Sequence, residues 1–127
     1  MIRERGYVAL IAVLVIGAVS TAIAVTLLVA GADSQRSALI SMQASQARLL
    51  ASTCAEEALQ QIHDSTSFTG TNNMSLGQGS CTYTVTNAGG ANRTVNATGT
   101  VGDVDRRVTL SISVGSVITV SSWKEVQ

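Results

Sequence analysis

Hydrophobic positions follow three regimes along the chain. From Tyr7 to Gly31 they are nearly continuous, and no Asp, Glu, Lys or Arg occurs between Arg5 and Asp33. An apolar run of about 20 residues is long enough to cross a bilayer as a helix. A helix that is apolar on every side has to be surrounded by lipid or by other helices. The hydroxyls of Ser20, Thr21 and Thr26 fit such a helix because each can bond back to a carbonyl one turn earlier. Gly17 weakens it by up to about 1 kcal/mol relative to Ala.

The second regime, residues 32–63, has a helical period. Ala47, Leu50, Ala51, Cys54, Ala55, Ala58, Leu59 and Ile62 recur at i, i+3, i+4 spacing and form one apolar stripe. Gln43, Gln46, Arg48, Ser52, Glu56, Gln60 and His63 fall on the other face. From Asp33 to Ile62 there is no Pro or Gly, so the pattern predicts one helix from Tyr7 to His63. Such a helix is roughly 85 Å long.

The third regime alternates. Cys81, Tyr83 and Val85 alternate with Thr82, Thr84 and Thr86; Val95 and Ala97 lie in a second such run; Val108, Leu110, Ile112 and Val114 alternate with Arg107, Thr109, Ser111 and Ser113. This period predicts strands at 81–87, 93–100 and 107–114, with a fourth at 117–123, each with one buried and one wet face. Residues 87–92 and 102–105 read as turns, and 64–80, rich in Ser, Thr, Gly and Asn, as a loop. The predicted fold class is α+β: a long N-terminal helix packed on a small antiparallel sheet of three to four strands. The domains are then 1–6, a short charged leader; 7–31, a transmembrane helix; 32–63, an amphipathic helix; and 64–127, a globular sheet region.

Composition sharpens this picture. The chain has 127 residues with one Phe, one Trp and two Tyr, so its core is thin. Small thin cores usually need a staple. Arg3 and Arg5 precede the apolar run and Asp33 follows it. The positive-inside rule therefore places the N-terminus in the cytoplasm and the larger part outside a single-pass inner-membrane helix. Outside is oxidising, so Cys54 and Cys81 read as a disulfide bridging the helix stripe to the first strand, two free thiols being the alternative. It closes a loop of about 28 residues and contributes roughly 3–4 kcal/mol in the chain-entropy picture.

Little else suggests chemistry. Formal net charge is zero and there is no Lys-rich patch, so bulk electrostatics gives no strong nucleic-acid signal. Arg93, Arg106 and Arg107 are too few to change that. His63 is the only histidine and reads as a solvated residue near a helix C-terminus. Glu56 and Glu57 are adjacent on a helix and do not converge. Asp103 and Asp105 fall far short of a calcium shell. Asn73, Asn92 and Asn96 open N-x-Ser/Thr triplets of the kind expected by chance in a Thr- and Asn-rich region. No nucleophile, base and orienting group occur together, so the expectation is not an enzyme, with no cofactor and no metal.

The N-terminus carries a resemblance. Arg5-Gly6-Tyr7-Val-Ala-Leu-Ile-Ala-Val-Leu-Val-Ile16, followed by an amphipathic helix and a small disulfide-tied sheet, resembles the type IV pilins and pseudopilins. The resemblance implies cleavage between Gly6 and Tyr7 by a prepilin peptidase and N-methylation of Tyr7. It implies other pilin subunits as partners through helix 7–63, the inner membrane as the site before assembly, and an extracellular pilus afterwards. The sheet is left for a surface or adhesin partner. One position departs: Ile11 stands where the family usually has Glu, the fifth residue of the processed chain. That departure points to a minor pilin at the tip or in initiation. The competing readings are a permanently membrane-anchored extracytoplasmic binding domain and a pseudopilin of a type II secretion system.

Overall fold

The computed structural model describes residues 2–127; of Ile2 and Arg3 the backbone alone is described, and Met1, the first residue of the expected leader, lies outside the described residues. The fold is α+β, one long N-terminal helix packed through its second part on a five-stranded antiparallel sheet. The helix, α1, runs Ile2–Asp64 without interruption, so it starts earlier than the Tyr7 expected from the apolar run. Arg3, Glu4 and Arg5 are good helix formers, and nothing in Ile2–Gly6 stops the first turns from joining the apolar segment. At its far end the Ser65 amide donates to the Gln61 carbonyl at 2.9 Å, and the Phe68 amide to Ser65 at 3.0 Å, closing the last turn before the loop. The chain divides into two compact units, Met1–Leu39 and Ile40–Gln127, with α1 contributing to both.

In the second unit the strands follow as β1 (Gly70–Leu76), β2 (Gly79–Gly89), β3 (Asn92–Val101), β4 (Val104–Val114) and β5 (Ile118–Val126), ordered β1-β2-β3-β4-β5 as a meander. Turns fall where Gly-rich sequence put them. Gly90, at φ 55°, lies in the β2–β3 turn, and Gly102, at φ 60°, in the β3–β4 turn; both occupy the left-handed region that a side chain disfavours.

The sheet exceeds the three to four strands expected from the pattern, and part of the expected loop at 64–80 is a strand. Residues 70–76 carry two large apolar side chains on the face toward α1: Met74, which pairs with Cys81 and packs on the core, and Leu76 at the strand end, which stays largely exposed. An edge strand is held by backbone bonds to its single neighbour, so it can form without the apolar alternation that marks a central strand.

The core lies between α1 and β2–β4. Ala47, Ala51, Cys54, Ala55, Ala58 and Ile62 are buried from the helix; Tyr83, Val85, Val95, Ala97, Val108, Leu110 and Ile112 are buried from the sheet. The helix contribution is mainly alanine, so its backbone rides close to the strands. Closest approach is at Gly99 of β3. A Cβ there would collide with the Ala47 carbonyl oxygen and lie 2.7 Å from the Ala51 nitrogen and 3.0 Å from Leu50 Cβ. Only glycine permits that contact.

Candidate functional site

The first candidate is the surface of α1 from Tyr7 to Val29. Every large apolar side chain there is exposed, from 42 % at Ile11 to 73 % at Leu28. The segment passes length and hydropathy criteria for crossing a membrane, with a mean hydropathy of 2.7 over its most apolar window. Its polar groups are satisfied internally. Ser20 Oγ donates to the Ile16 carbonyl at 2.7 Å, Thr21 Oγ1 to Gly17 at 2.7 Å and Thr26 Oγ1 to Ala22 at 2.9 Å. These are the back-bonds expected from the sequence, and they matter because hydrocarbon offers no alternative partner. Gly6 and Tyr7 sit on the same exposed helix; nothing lies within 4 Å of a Cβ built on Gly6. Glycine at position 6 weakens the helix there by about 1 kcal/mol relative to alanine.

Cys54 and Cys81 are joined in a disulfide with a Cα–Cα separation of 6.1 Å. It links the helix stripe to β2 as the alternation required. The two residues of the expected processing site and the two cysteines belong to different compact units.

A second surface was not anticipated in this form. Residues paired across antiparallel strands share a face. The register places Thr71, Thr84, Asn96, Thr109 and Lys124 in one row across all five strands, and Asn73, Thr82, Thr98, Arg107 and Val126 in the next. This is the face turned away from α1. Thr71 and Thr84 share a hydroxyl bond at 3.0 Å, and Thr109 Oγ1 donates to Asn96 Oδ1 at 2.9 Å. The rows line a depression of about 450 Å³. On the α1 side of the sheet a separate cleft of about 220 Å³ lies between Ser41, Ala44, Ser45 and Arg48 of α1 and the ends of β4 and β5, bordered there by Arg106, Arg107 and Glu125. Arg48 Nε bonds Glu125 Oε1 at 2.8 Å. Arg106 and Arg107 take part in no ion pair among the described residues. Alternation sends these two neighbours to opposite faces, so Arg106 lies on the α1 side and Arg107 on the other. Sequence reasoning gave the three arginines 93, 106 and 107 as a set. The structure separates Arg93, which is tied into the β2–β3 hairpin, and brings in Arg48, which only the helix–sheet register places beside β4.

The remaining candidates do not assemble. His63 Nδ1 lies 3.5 Å from the exposed Asp64 carboxylate. Glu57 accepts from Gln61 Nε2 at 3.1 Å, while Glu56 is exposed. Among the described residues no group of three His, Cys, Asp or Glu is arranged to hold a metal ion. Compared with protein-family models, curated proteins and solved structures, the chain matches none.

Proposed function

We propose that this chain is a minor type IV pilin-like subunit: a structural protein, not an enzyme, stored in the inner membrane and assembled into a filament through α1. The observation that carries the reading is the apolar surface of residues 7–29, exposed on all sides with its hydroxyls bonded internally, directly behind Arg5-Gly6-Tyr7. Such a helix can exchange lipid for neighbouring helices without stranding a polar group. In this reading the N-terminus is cytoplasmic before assembly, by the arginines that precede the run. A prepilin peptidase removes residues 1–6 and Tyr7 becomes N-methylated.

Ile11 gives the reading its second half. Cleavage creates a new ammonium group at Tyr7, and a buried charge without a partner costs several kcal/mol. A subunit with Glu at the fifth processed position can pair with a neighbour's amine; Ile11 cannot. A subunit of this kind fits a position at the filament tip or in initiation, at low copy number.

Intact mass of the full chain, isolated from membranes of cells expressing an active prepilin peptidase, tests the assignment. The expected species has lost residues 1–6 and gained one methyl group. Retention of the leader in the presence of active peptidase overturns it in favour of a permanently anchored extracytoplasmic domain. Immunolabelling of filaments tests the minor role: sparse or terminal label is expected, and uniform dense label refutes it.

A further inference from the structure

We draw no further inference here: the strongest candidate, the apolar hollow of about 390 Å³ between α1 and the β1–β2 turn, lined by Leu49, Leu50, Leu76 and Val101, is an unpartnered surface, and nothing in the structure shows what covers it.

Discussion

The close approach of α1 to β3 makes a quantitative prediction at Gly99. Replacing it with alanine adds one methyl group. That methyl would meet the Ala47 carbonyl oxygen, the Ala51 nitrogen at 2.7 Å and Leu50 Cβ at 3.0 Å. Two of these are helix backbone and none is the end of a flexible side chain, so no rotamer change relieves the clash; the helix has to lift from the sheet. Overpacking typically costs 1–3 kcal/mol, and lifting also opens the contacts of Ala47 and Ala51, so Gly99→Ala should lie in the upper part, about 2–3 kcal/mol. For a domain of this size each kcal/mol moves the midpoint by roughly 4–8 °C, so a fall of about 10–20 °C is expected. Thermal unfolding of the full chain in mild detergent, followed by Trp123 fluorescence, measures it; Trp123 is the only tryptophan and lies on β5. Gly115→Ala is the control, because its added Cβ meets only the Val117 carbonyl at 3.7 Å. That variant should stay within about 0.5 kcal/mol of the parent or gain slightly from a stiffer unfolded chain. If Gly99→Ala melts within 2–3 °C of Gly115→Ala, roughly the spread expected of a surface change, α1 does not rest backbone-to-backbone on β3 and the argument fails.

Three further outcomes follow from named contacts. The Cys54→Ala/Cys81→Ala double variant should lose about 3–4 kcal/mol by urea unfolding, and reduction of the parent should reproduce most of that loss; an unchanged midpoint would mean the crosslink adds nothing to the core. Arg93 donates to Asn87 Oδ1 at 3.2 Å and to the carbonyls of Gly90 at 2.9 Å, Asn92 at 3.0 Å and Thr66 at 3.4 Å. Arg93→Ala should therefore cost about 1–3 kcal/mol and speed amide exchange across residues 87–93, whereas exchange identical to the parent would show that the hairpin holds itself. Val19→Arg should penalise membrane insertion by about 3 kcal/mol and shift the chain out of the carbonate-resistant membrane fraction; unaltered fractionation would contradict a membrane-spanning segment.

How much of this was legible follows from what each signal depends on. The period of residues 47–62 named the buried helix face, and every member of that stripe is buried or half-buried. The alternation around Tyr83, Val95 and Leu110 gave β2, β3 and β4, and inward placement of Cys54 and Cys81 gave their bridge. β1 was hidden because an edge strand whose only large apolar residues are Met74 and Leu76 needs no longer apolar period once β2 offers a backbone ladder. The start of α1 was misplaced because hydropathy marks where the helix becomes greasy, not where its hydrogen bonds begin. The threonine rows were half visible: each strand announced its wet face, but only the register brings Thr82, Thr98 and Arg107 side by side. The helical period puts Arg48 on the polar face of α1, and nothing in the sequence places it beside Arg106.

Side-chain size along α1 tells what each part of the helix lies against. Residues 7–29 are built largely from Val, Leu and Ile, which project far from the axis and fill space among mobile or interchangeable neighbours. From Ala47 onward four of the six buried positions are Ala, at 47, 51, 55 and 58, which project little and let a sheet approach to the distance that Gly99 requires. The second choice has a cost: an alanine face buries little apolar area per residue, at about 25 cal/mol per Å². The core has to recover that stability elsewhere. Tyr83, the largest fully buried side chain, fills the space beneath the helix, and the Cys54–Cys81 bond restricts the unfolded chain instead of adding contact area. The first choice has a different consequence. A segment with no Asp, Glu, Lys, Arg or His between Arg5 and Asp33 is equally content in lipid or among other helices. Under the proposed function, its only preference for one location over another comes from the ammonium group at Tyr7. Ile11 leaves the charge of a neighbour's ammonium unanswered, and that argues for a subunit whose place in the filament never requires it to answer one.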